Sequence, residues 1–121
     1  MLQHATLEVP KADWEACIHF WGHLGFEPMQ APASLRDRFA WVAREGTQIH
    51  LADVQDPICM DVGHIAVLVP DYEGSVRALE DAGFQPKPGS RAWDAERVFV
   101  RDPVGHLIEI MSAPPVGPFT D

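Results

Sequence analysis

The sequence predicts an α+β fold: two tandem βαβββ modules whose strands form a curled mixed sheet around a central cleft. Three observations predict it. First, the chain repeats itself. His4-Ala5-Thr6-Leu7-Glu8-Val9-Pro10 is answered by His64-Ile65-Ala66-Val67-Leu68-Val69-Pro70, 60 positions on. Gly25-Phe26-Glu27-Pro28 is answered by Gly83-Phe84-Gln85-Pro86 at 58, and Gly46 to Leu51 by Gly105 to Ile110 at 59. Three matches in one order at nearly constant offset mark two copies of one unit. Second, each copy opens on period-two apolar patterning and continues with a helical stripe. Third, a Gly-Phe pair closes each stripe.

The elements follow in order. Ala5, Leu7 and Val9 alternate, as do Ile65, Val67 and Val69, and alternation means a strand. Trp14, Cys17, Ile18, Trp21 and Leu24 then lie on one helical face, with Asp13 as a candidate N-cap. Tyr72, Val76 and Leu79 form the second stripe behind Asp71. Gly25 and Gly83 are expected to stop the helices in the left-handed conformation, each following Phe folding back on the last turn. Three short strands complete each copy, near 27–30, 38–43 and 47–52, then near 85–88, 97–101 and 107–112. The modules are expected at 1–52 and 63–112, with a linker at 53–62 and an irregular Pro-rich tail at 113–121.

Composition sets outer bounds. The chain has 121 residues, 46% of them hydrophobic, which suits one composite domain. Its 9 Lys and Arg against 18 Asp and Glu give a net charge of -9, with no basic stripe for nucleic acid or an anionic membrane. No run of 18 apolar residues exists, and the first residues lack the pattern of a secretory signal. Cys17 and Cys59 lack metal-ligand spacing and read as free thiols. The expectation is a cytoplasmic protein with a small-molecule substrate as partner.

Strand alternation also sorts the faces. With Ala5, Leu7, Ile49, Leu51, Ile108 and Ile110 turned to the helices, His4, His50, His64 and Glu109 lie on the opposite face. Each stands on the first or last strand of its module, at matching positions. Three imidazoles and a carboxylate suit a divalent metal: Zn, Ni, Fe(II), Co or Mn. A lone strand histidine is more often a satisfied polar residue, but repeat symmetry favours ligation for His4 and His64. Glu109 lies between Ile108 and Ile110, where an unpaired carboxylate is costly and a cation partner is expected. Phe39, Trp41, Phe99, Arg97 and Arg101 fall on the cleft side, and Trp93 lies in a loop that can close over a ligand. Such a wall suits a small organic anion. His19, His23 and His106 lack symmetric partners and read as surface or turn residues, Trp14 and Trp21 as core.

The residues resemble the vicinal oxygen chelate superfamily, which includes glyoxalase I, extradiol dioxygenases, fosfomycin-resistance enzymes, methylmalonyl-CoA epimerase and bleomycin-binding proteins. The resemblance spans about residues 3–112. It rests on His4-x-x-Leu7-x-Val9, Phe20-Trp21-x-x-Leu24-Gly25-Phe26, Gly63-His64-Ile65-Ala66-Val67 and, most specifically, Asp102-Pro103-Val104-Gly105 leading to Glu109. It implies His4, His64 and Glu109 as metal ligands. His50 stands where glyoxalase I places its other Glu ligand. It further implies metal-centred Lewis-acid chemistry, with Glu109 or His50 moving a proton, and a homodimer whose modules pair within a chain or are exchanged between chains.

Three functions fit this reading. The first is a glyoxalase-like lyase or isomerase acting on a small oxygenated substrate chelated by the metal. The second is an extradiol-type Fe(II) dioxygenase using His4, His64 and Glu109. Against it, Phe99 stands where ring-cleaving relatives carry Tyr, and residues 90–101 contain no His. The third is a non-catalytic protein that binds an antibiotic-type small molecule, against which the presence of His4, His64 and Glu109 argues.

Overall fold

A computed structural model describes residues 1–120. The first half runs β1 (His4–Glu8), a 3-10 turn (Lys11–Asp13), α1 (Trp14–Gly22), β2 (Glu27–Met29), β3 (Phe39–Arg44) and β4 (Thr47–Ala52). The second runs β5 (Ile65–Leu68), α2 (Tyr72–Asp81), β6 (Lys87–Pro88), β7 (Arg97–Arg101) and β8 (Leu107–Met111). Each half folds its strands into a four-stranded mixed sheet, in the orders β1-β4-β3-β2 and β5-β8-β7-β6. In both, the first strand pairs parallel to the last and the remaining pairs are antiparallel. The fold is therefore α+β, built from two tandem βαβββ modules.

Both helices stop as the Gly-Phe pairs predict. Gly25 and Gly83 have φ of 89° and 94°, a region that favours glycine. Phe26 N donates to Trp21 O at 3.1 Å and Gly25 N to Gly22 O at 3.0 Å. Phe84 N to Leu79 O and Gly83 N to Glu80 O repeat the pattern, so the last carbonyls of both helices are satisfied alike. The helix starts differ. Asp71 Oδ1 accepts from Gly74 N at 3.0 Å, whereas Asp13 makes no side-chain cap. The chain enters α1 through the 3-10 turn, where Asp13 N donates to Pro10 O, and Asp13 is the last residue of that turn rather than a free cap.

One continuous apolar core joins the halves. Phe20, Trp21, Leu24, Ile49, Leu51, Leu79, Ile108 and Ile110 are fully buried in it. Phe20 of α1 meets Phe84, beyond α2, edge to face at 5.2 Å, so the helix ends interlock across the repeat. Two polar links add to this. Arg44, at the β3–β4 hairpin, donates to Leu24 O and to Leu68 O at the end of β5. His106, just before β8, donates from Nε2 to Glu8 O at 2.7 Å. The hairpin lies beside the start of β1, because Gln48 N donates to Gln3 O. The start of β1 therefore meets the end of β5, and the end of β1 meets the start of β8. So β1 and β5 run in opposite senses along the junction.

The segment between the modules is irregular but held. Ile58 N donates to Glu8 Oε1, and Arg101 donates to Met60 O and Asp61 O. Among the described residues, no helix is long and apolar enough to cross a membrane.

Candidate metal centre

On the first sheet, register places Thr6 and Trp41 on either side of His50. Alternation turns these side chains away from the helix, and the ring of His4 leans across to join them. The rings of His4 and His50 stack at 4.1 Å and 16°, and those of His50 and Trp41 at 4.0 Å and 3°. His50 is thus sandwiched on both faces and only 8% exposed. Its Nε2–H donates to Gln48 Oε1 at 2.8 Å, which leaves the lone pair on Nδ1. Burial, and secondarily the nearby His4, lower its pKa below 6.5, so the ring is neutral at neutral pH. His4 Nδ1–H donates to Gln3 Oε1 at 2.7 Å and leaves Nε2 as the free donor atom.

On the second sheet, His64 immediately precedes β5, and Glu109 sits in β8 opposite Ala66 and Phe99. His64 Nδ1 lies 2.8 Å from Val62 O, which can only accept, so Nδ1 carries the hydrogen. In the neutral ring Nε2 then presents a lone pair. It faces Glu109 Oε1, another acceptor, at 3.0 Å. A shared proton or a cation is needed to satisfy both atoms. A carbonyl-held imidazole is the usual arrangement of a metal-ligating histidine. Neighbouring donors on a transition ion, each about 2.1 Å from it, lie about 3 Å apart. The pair therefore fits a divalent ion. Glu109, 4% exposed, also accepts from Arg97 Nη1 at Oε2, 3.1 Å away. The edge of Phe99 meets His64 at 5.2 Å.

The four donor residues thus come as two pairs, one per sheet. Among the described residues, no three His, Cys, Asp or Glu side chains gather as a metal site would need. The opposed β1 and β5 explain this, because His4 and His64 stand at opposite ends of the junction. A cleft of about 400 Å³ there is lined by Thr6, Glu8, Met60, His64 and Leu107, but not by His4 or His50.

The remaining predicted residues divide. Trp41 belongs to the histidine stack and Phe99 to the His64 pair, while Phe39 is half-buried in β3 opposite Ala52. Trp93 lies under the Arg97 guanidinium at 4.7 Å and donates from Nε1 to Ala113 O. Arg101 spends its guanidinium on carbonyls of the linker and of Gly105. His106, read from sequence as a surface or turn residue, is buried and joins the two halves. Gln48, Ser90 and the carbonyl of Val62 also hold these side chains, though none is a candidate on sequence grounds. Only Gln48 carried a signal, being two residues from His50 and hence on the same strand face.

The sequence matches the family model of the Glyoxalase/Bleomycin resistance protein/Dioxygenase superfamily over residues 2–110. The chain belongs to this superfamily. Its members commonly use divalent metals, bind small molecules and form dimers. Solved structures share the fold. A glyoxalase family protein from Bacillus anthracis aligns with a TM-score of 0.79 at 24% identity, covering 92% of this chain and 93% of that one. The oxidase ChaP-H2 aligns at 0.75 and 18% identity, covering 94% of each chain. A glyoxalase/dioxygenase from Nostoc punctiforme aligns at 0.73 and 21% identity, covering 95% and 92%. No curated protein sequence matches the chain.

Proposed function

We propose that this superfamily member is a metal-dependent lyase or isomerase of glyoxalase type, acting on a small oxygenated substrate. His4 and His50 of one copy and His64 and Glu109 of a second hold a divalent ion between them. The observation that carries this reading is the contact of His64 Nε2 with Glu109 Oε1, 3.0 Å apart, with His4 and His50 stacked at the equivalent place on the other sheet. Separation of the pairs within one chain favours exchange between copies over pairing inside it.

When bound, the ion supplies Lewis-acid polarisation of the substrate oxygens. The chain's own groups do the rest. His50 is neutral, with Nε2–H fixed on Gln48, so Nδ1 can hold the ion or accept the proton beside the substrate carbonyl. Trp41 and Phe99 give each half of the site an apolar wall. Turnover of a hemithioacetal or an α-hydroxy ketone by metal-loaded protein, lost in His4→Ala and Glu109→Ala, is the expected result. No turnover of either class by fully loaded protein would refute the assignment.

A second reading is an extradiol-type Fe(II) dioxygenase. It takes the stack of His50 between His4 and Trp41 as holding that ring in place outside the ligand set. Without it, His4, His64 and Glu109 make a two-His-one-carboxylate set. Anaerobic loading with Fe(II), followed by catechol and air, gives a yellow ring-cleavage product if this reading holds.

A further inference from the structure

We propose that Arg97 is a positioning residue that makes Glu109 a one-oxygen metal donor; this rests on the reading of His64 and Glu109 as metal ligands. Strand alternation alone makes Arg97 a candidate for binding a substrate anion. The structure commits its guanidinium elsewhere. Nη1 donates to Glu109 Oε2 at 3.1 Å, Nε to Ser90 O at 2.9 Å and Nη2 to Ser90 Oγ at 2.8 Å. The group also lies over the rings of Trp93 at 4.7 Å and Phe99 at 5.2 Å. Trp93 is itself anchored on Ala113 O.

The arrangement is enclosed. Arg97 and Glu109 side chains are 16% and 6% exposed. The backbone passes close at Gly89, where an added Cβ would lie 3.0 Å from both Arg97 Nε and Phe99 Cε2. A guanidinium held by two Ser90 acceptors and stacked on aromatic faces cannot follow Glu109 if the carboxylate turns. It therefore keeps Oε2 and leaves Oε1 beside His64 Nε2. An ion taken by that pair receives one carboxylate oxygen, and the coordination position a chelating carboxylate would fill stays open for substrate oxygen.

Co(II) titration of wild type, Arg97→Ala and Arg97→Lys tests this, read by the visible d–d bands. Infrared carboxylate stretches that appear on loading and are lacking in Glu109→Gln give a second readout. In Arg97→Ala the second oxygen joins the ion: the d–d bands weaken and the splitting of the carboxylate stretches narrows. Millimolar guanidinium fills the vacated slot between Trp93 and Phe99 and restores the wild-type spectrum. Recovery of that kind is not expected of a purely structural residue. If Arg97→Ala does not fold, Arg97→Lys decides, because an ammonium lacks the fork that reaches Ser90 and Glu109 together and should shift the bands the same way. Wild-type spectra in both variants would overturn the proposal and leave the metal centre standing. Absence of any cobalt bands in wild type would overturn the metal centre and this proposal with it.

Discussion

His64 Nε2 and Glu109 Oε1 face each other at 3.0 Å, while the other ring nitrogen of His64 donates to the carbonyl of Val62. A proton on Nε2 satisfies the pair, and so does a cation held between the two atoms. This contact, more than the count of histidines, is where the proposed ion would sit.

Glu109→Gln keeps the side-chain size and can place an N–H toward His64, so the fold should survive while the anionic donor is lost. Metal affinity is expected to fall about 100-fold or more, and the melting temperature of the metal-free protein to drop as well, because the enclosed Arg97 guanidinium loses its anionic partner. Isothermal titration with Zn, Ni or Co measures the first and a thermal melt the second.

His50 gives metal-free protein a distinctive pH dependence. Its folded pKa is lowered by burial and by His4. Below the ordinary value of 6.5 the unfolded chain takes up a proton that the folded chain refuses. The unfolded state then binds more protons, so stability falls as pH drops through 6.5 and keeps falling until the folded ring is protonated. His50→Gln should flatten that part of the slope, measured as the urea midpoint between about pH 7.5 and about pH 5.

The junction between the halves rests on few polar links, which makes their removal measurable. His106→Ala deletes the 2.7 Å bond to Glu8 O and is expected to cost about 1–2 kcal/mol in urea denaturation. Phe20→Ala removes a fully buried ring from the same junction and is expected to cost about 3–5 kcal/mol.

Cys17 reports on unfolding. It is fully buried on α1, and burial, with Asp102 and Asp13 adding, pushes its thiol up to about 12. Thiol alkylation at neutral pH should therefore leave Cys17 unmodified until the chain opens, and its labelling rate in urea should track global unfolding.

Much of this was legible in the sequence because it is local. The repeat gives the two modules, alternation gives the faces, and Gly25 and Gly83 end the helices through bonds only five residues long. What was not legible is long-range. His106 looks like a turn residue because its partner is a backbone carbonyl 98 positions away. Arg97 and Glu109 were assigned to one face, but only the register, with Phe99 rather than Arg97 opposite Glu109, shows that the longer side chain reaches across diagonally. The opposed run of β1 and β5, which separates His4 from His64, depends on how the modules pack. No spacing within either module encodes that.

The most direct test of the central claim, that one metal centre draws on two copies, is complementation. A His4→Ala/His50→Ala variant and a His64→Ala/Glu109→Ala variant are each expected to bind no metal. Mixed by co-refolding, half the dimers are hybrids, and each hybrid joins the intact first module of one chain to the intact second module of the other. Metal content should then recover to about a quarter of wild type. A mixture that stays as empty as its parents, with hybrid dimers shown to be present, would place the centre within one chain and contradict the account.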